Sequence, residues 1–158
     1  MQTEIERIKK LFVRNWSGPM WHGATLQEIL KDISWQAAFR KPENFSHNIY
    51  EYVLHMLCWR KFSLEHLCGN SSYTVDINSE TDWVVKYEPT EAAWQQVLKE
   101  LEENQNALEQ VLEKFDNGKL EERVPGKKFS WYVLLHGAVH HDIYHSAQIS
   151  LLKKFGVK

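Results

Sequence analysis

Four long amphipathic segments, each closed by a chain breaker, constrain this sequence more than any other feature. The first covers residues 2–15, with Ile5, Ile8, Leu11 and Phe12 on one stripe, and ends before Gly18-Pro19. The second is "NIYEYVLHMLCWRKFSLEHLCG". Asn48 and Glu51 have capping-box spacing, Ser46 is an equally good cap, and Gly69-Asn70 marks the stop. The third follows Pro89, which sits where a first-turn proline belongs. It places Trp94, Val97, Leu98, Leu101, Leu108, Val111, Leu112 and Phe115 on one face before Asn117-Gly118, and its many glutamates read as a solvated face. The fourth comes after Pro125-Gly126, with Ser130 as its cap, and runs to about residue 155. Between the first two, "TLQEILKDIS" predicts a short helix with Thr25 and Glu28 as a capping box, and Pro42 then interrupts the chain. Residues 70–88 are polar with scattered aromatics. They read as a long loop or a short extended excursion, with "DWVVKY" as a strand-like piece. The pattern predicts an all-α four-helix bundle with short additional helix or loop excursions, in a single domain spanning residues 1–158.

Composition agrees with a packed core. The chain is 43% hydrophobic, and its seven Trp, seven Phe and six Tyr argue against disorder. The net charge of -2 offers no electrostatic footprint for nucleic acid or for an anionic membrane. No apolar run reaches the ~18 residues that a membrane helix needs. The charged, amphipathic start "MQTEIERIKKLFVRNW" lacks the apolar core of a secretory signal. A cytoplasmic protein is expected. Cys58 and Cys68 form no CxxC pair and read as reduced thiols, with Cys58 as a small buried apolar residue.

Chemistry concentrates in "HHDIYHSAQI", residues 140–149, and in His136 just upstream. Positions four apart on a helix differ by only ~40° in azimuth. His141 and His145 therefore share a face, together with Leu134, Ala138, Gln148 and Leu152, and that mainly apolar face should look into the bundle. His136 and His140 also stand four apart but lie roughly 140–180° away. Their companions are Tyr132, Ser150 and Lys154, so that side reads as solvent or subunit contact. Two histidines make half a metal site, or a pair of core histidines with hydrogen-bond partners. A third ligand must come from another helix. His55 offers one, on an aromatic stripe with Glu51, Tyr52, Cys58, Trp59 and Phe62.

Three neutral imidazoles would hold one divalent ion and leave coordination positions open, as catalytic sites do. Irving–Williams affinities favour copper, zinc or nickel on such ligands. The second ring nitrogen of each histidine needs an orienting partner, and Glu51, Asp142, Tyr144 and Gln148 are the nearby candidates. Glu51 is otherwise a fourth ligand or a helix cap, the cap being favoured. Tyr144 reads equally as a polar wall or proton donor and as a packing residue. Trp21-His22-Gly23 could overhang the site, with His22 reaching substrate or metal, or else stand as a loop histidine with Trp21 packed on the bundle.

At these residues the chain resembles the DinB-like superfamily of DinB/YfiT-like metalloenzymes. The resemblance covers nearly the whole chain and rests on "GPMWHGATLQEIL", "HNIYEYVLHMLCWRKF" and "LLHGAVHHDIYHSAQISLLKK". The family's last-helix pattern is similar to H-D-x-Y-H-x-G-Q-I. It falls here on His141, Asp142, Tyr144, His145, Gln148 and Ile149, with Ala147 where many members have Gly. That departure narrows the room for helix approach or substrate without removing a ligand. The resemblance implies a four-helix bundle, one divalent metal ion (usually zinc or nickel) on His55, His141 and His145, and a homodimer. Characterised relatives include bacillithiol S-transferases and mycothiol-dependent isomerases. The expected function is therefore a metal-dependent enzyme on small molecules, such as a low-molecular-weight thiol S-transferase with the thiol as cosubstrate. A metal-dependent hydrolase, or a non-catalytic metal-binding or stress-response bundle, would use the same architecture.

Overall fold

The structure, a computed structural model, describes residues 1–156. The domain expected over residues 1–158 reaches two residues further, and those lie outside the described residues. Six α-helices follow one another: α1 Glu4–Ser17, α2 Leu26–Leu30, α3 Trp35–Phe39, α4 Ile49–Leu67, α5 Glu91–Glu113 and α6 Trp131–Gly156. A 3-10 turn, Asn117–Lys119, joins α5 to α6. No strand forms among the described residues; Met20–Gly23 and Arg123–Ser130 make isolated bridges only. None of the described helices is long and apolar enough to cross a membrane.

The four long helices form the expected all-α bundle. Contacts run round a ring, α1 to α5, α5 to α4, α4 to α6 and α6 back to α1. The two short helices pack beside it, α2 on α1 and α6, α3 on α4 and α5.

Local chemistry explains the boundaries. Thr3 caps α1 in a full capping box with Glu6, so α1 starts two residues later than the expected range of 2–15 and runs two residues beyond it, to Ser17. The Thr25–Glu28 box is present as expected, but the short helix it opens ends at Leu30. Ser34 then caps a further helix, α3, that the sequence reading lacks. Asn48, not Ser46, caps α4: its Oδ1 accepts from the Glu51 amide at 2.8 Å. Pro89 stands before the cap rather than inside the first turn, because the Thr90 hydroxyl accepts from the Ala93 amide. The third long helix ends at Glu113, so Phe115 lies past it and packs edge-on against Trp131. Residues 82–87, read as strand-like, form no ladder.

Two apolar clusters fill the bundle. One gathers Trp16, Leu57, Leu101 and Ile149; the other gathers Phe12, Leu108, Leu135 and Val139. A buried polar layer lies between them. Arg60 on α4 donates to Asp142 on α6 and to Asn104 and Gln105 on α5, while Asn15 on α1 reaches Asp142 at 3.5 Å. Each long helix thus contributes one turn of polar residues at the same height. Asp142 is fully buried, and burial pushes its carboxyl above the ordinary value while the Arg60 guanidinium pulls it down. Asp142 Oδ1 and Asn104 Nδ2 are the two layer atoms left without a partner.

Candidate metal centre

One side of this layer carries the histidines. His55 projects from the middle of α4, and His141 and His145 from successive turns of α6. Their Nε2 atoms converge: His141 lies 3.0 Å from His55 and 3.1 Å from His145. All three residues offer a ligand atom within 4.8 Å of one another, close enough to share one metal ion. His141 and His145 share one face of α6, as their spacing of four requires, and the bundle brings α4 to meet it.

The ring tautomers decide what the cluster fits. His55 Nδ1 faces the Asp82 carbonyl at 3.1 Å and the Asp82 carboxylate at 2.8 Å. Both partners are acceptors, so Nδ1 carries the proton and Nε2 presents a lone pair. His145 Nδ1 meets the Gln148 amide oxygen at 2.6 Å and is set the same way. His141 Nε2–H could satisfy at most one of these lone pairs. Extra protons are disfavoured: burial and the neighbouring histidines hold His141 down at about 3 and His145 at about 4. Burial also lowers His55, against the pull of Asp82. Neutral imidazoles with converging lone pairs fit a cation. Nitrogens sharing one ion at about 2.1 Å stand about 3.0–3.4 Å apart, which matches the two separations.

Asp82 is the residue that sequence reasoning missed. It sits in the segment 70–88 and its two oxygens are both used. Oδ1 also accepts from the Trp59 indole at 2.8 Å, and Oδ2 accepts from the Asn78 amide at 2.9 Å. Asn78 adopts a left-handed conformation, φ 62°, which Asn tolerates better than most side chains. That turn aims Asp82 inward. The adjacent Trp83 stacks on His55 at 3.8 Å and on His47 at 3.8 Å, forming a His–Trp–His sandwich. A loop of this length carries no periodic signal, so only the polar–aromatic mixture in "TDWVVKY" hinted at it.

Other expectations are redistributed. The Glu51 carboxylate neither caps α4 nor faces the histidine cluster; it binds His47 Nδ1 at 2.8 Å and accepts from Tyr87 at 2.5 Å. Burial and that bond push Tyr87 up to about 12. Asp142 orients no histidine; its Oδ2 pairs with Arg60 in the buried layer. Of the four expected orienting partners, Gln148 alone binds a site imidazole. Tyr144 is exposed, its ring edge-on to His145 at 4.9 Å. His22 lies in a cavity with Ile143, Ser146, Ala147 and Ser150, on the flank of α6 away from His141 and His145, and Trp21 is fully exposed rather than packed on the bundle. Cys58 is half-buried, not core. Its thiol donates to the Thr81 carbonyl, and burial pushes it up to about 11. His140 is exposed, but His136 is half-buried under α1, 3.6 Å from Glu4.

A cavity of about 200 Å³ opens beside the cluster. His141 and Trp59 form one wall, and Phe129, Val133, Leu134 and Ala138 make the rest largely apolar.

The family model of the DinB superfamily matches residues 21–149. The chain belongs to the DinB superfamily. The match spans α2 to most of α6 and includes all three clustered histidines and Asp82. Among curated proteins and among solved structures, nothing matches the chain. A divalent-metal site in a DinB-superfamily bundle accords with the histidine cluster.

Proposed function

We propose that this DinB-superfamily chain is a metal-dependent enzyme on small molecules, in the first place a low-molecular-weight thiol S-transferase. It would act as a cytoplasmic homodimer of single domains. The observation that carries the reading is the convergence of three imidazoles, one of which, His141, lines an apolar cavity. A purely structural site would be closed by a fourth ligand and would need no cavity.

His55, His141 and His145 would hold one divalent ion, zinc or nickel suiting imidazole nitrogen. Once bound, that ion lowers the pKa of a thiol or water and supplies a nucleophile at neutral pH. The residues of the chain do the rest. Asp82 and Gln148 hold two rings with their lone pairs inward. Trp59, Phe129 and Val133 offer the apolar body of an electrophile a dry wall. Trp83 shields His55 from water.

The test combines metal analysis with turnover. Untagged protein should carry close to one divalent ion per chain, and His55→Ala, His141→Ala and His145→Ala should each lose it. A panel of small thiols with alkyl and aryl electrophiles should then show metal-dependent conjugation. Equal metal in wild type and variants would remove the site. Metal binding with ester or amide hydrolysis in place of conjugation would move the activity to a hydrolase.

A further inference from the structure

The outward face of α6 differs from the other exposed helix surfaces. Between Tyr132 and Leu151 its one charged residue is Asp142, which is buried. On α5 the exposed positions are residues such as Gln95, Lys99, Glu102, Glu103 and Gln110. Six exposed positions of α6 recur at alternating intervals of four and three: Val133, Gly137, His140, Tyr144, Ala147 and Leu151. That is the 3.5-residue period of helices packed lengthwise. Val133 is 54% exposed, Tyr144 63% and Leu151 48%, high values for large apolar or aromatic side chains.

Two further facts narrow the occupant. A Cβ built on Gly137 meets nothing within 4 Å, so no contact inside the chain requires glycine there, although glycine weakens a helix interior relative to alanine. The stripe is also palindromic about position 142. Val133 mirrors Leu151, Gly137 mirrors Ala147, and His140 mirrors Tyr144. A two-fold interface needs a self-complementary patch of this kind. An acidic or basic partner would find no charge to pair with, and an anionic membrane would find no lysine or arginine between residues 132 and 151.

We propose that this stripe is the contact face of a homodimer in which α6 packs antiparallel on α6 of a second copy, about an axis near residue 142. Apolar ends then meet, small residues face small residues, and His140 lies beside Tyr144 of the other copy. Eighteen helical steps give a face about 27 Å long, too narrow alone for the ~800 Å² that each partner of a stable dimer buries. The flanks widen it. Fully exposed Trp21 adjoins His22, which shares a cavity with Ala147 and Leu151, and the two-fold axis brings that end towards Tyr132 of the second copy. Val133 and Gly137 also line the cavity beside His141, so the second copy would roof the candidate site. This gives the proposed homodimer a surface and a register, and it stands independently of what the histidines bind.

Sedimentation equilibrium on the full, untagged chain is the test. Wild type should show twice the 18.7 kDa chain mass at micromolar concentration. Ala147→Lys should weaken association at least tenfold while helicity and metal content stay unchanged. Combining it with Gly137→Glu puts opposite charges across both symmetry-related contacts and should restore the dimer. A monomeric wild type overturns the proposal, as does an Ala147→Lys protein that still dimerises. Failure of the double variant to rescue overturns the antiparallel register. A dimer that behaves as stated but binds no metal leaves the interface standing and removes the metal-enzyme reading alone.

Discussion

The Arg60–Asp142 layer and the histidine cluster share α4 and α6 at nearly the same height, yet they solve opposite problems. In the layer, a buried cation meets a buried anion and two amide oxygens, so nearly every donor finds an acceptor within the fold. In the cluster, neighbouring lone pairs point at one another, and the protons that could separate them are held off by burial. His141 and Asp142 are adjacent in sequence but look into these two environments. The difference teaches how to sort buried polar groups. Apart from Asp142 Oδ1 and Asn104 Nδ2 the layer satisfies its own polar groups and organises the fold, whereas converging unprotonated nitrogens fit a cation.

The largest effect should come from opening the closed network. Asp142→Ala leaves the Arg60 guanidinium buried without its anion, and should destabilise the chain by about 3–5 kcal/mol in denaturant unfolding. The Arg60→Met/Asp142→Leu pair should recover most of that loss. If the double variant is no better than the single, the layer is more than an internally balanced ion pair.

Breaking the open network should behave in the reverse way. His141→Ala should reduce bound metal by more than tenfold, while the metal-free protein stays as stable as wild type or gains slightly. Calorimetry with and without metal separates the two. Wild type should gain about 2.7 kcal/mol at a hundredfold excess of metal over Kd, and the variant close to nothing.

Asp82→Asn sharpens the comparison further. It weakens the acceptor that orients His55 without emptying the core, and should lower metal affinity about 10–100-fold by competition titration. Unchanged affinity would mean that the Asp82 carbonyl suffices to fix the ring.

The pH response of the metal-free chain carries the same logic. His141 and His145 sit below the ordinary value of 6.5 in the folded state, at about 3 and about 4. Between those values and 6.5 the unfolded chain binds more protons than the folded one, so stability should fall as pH drops from about 6.5 towards 4. His145→Ala should flatten that slope in urea midpoints measured across the range. The smallest effect is expected from His140→Ala, which should leave metal content within error because the ring faces outward.

Much of this is legible in the sequence. Apolar periodicity and breakers placed the four long helices, and the i, i+4 rule separated His141 and His145 from His136 and His140. Capping was readable where side chain and backbone are three residues apart, as at Thr25–Glu28. It misleads at Glu51, where Tyr87, 36 residues along the chain, competes for the carboxylate. The polar look of its own helix face places His136 in solvent or at a subunit contact, whereas Glu4 of α1 packs against it.

By itself the sequence determined which side chains share a helix face, because helical azimuth depends only on position within one element. The tertiary structure alone decided that Asp82 and Trp83 close over His55, that Asp142 turns to Arg60, and that a cavity opens beside His141. Those outcomes depend on how a turn at Asn78 and the packing of neighbouring helices place groups far apart in the chain. No local period encodes that placement.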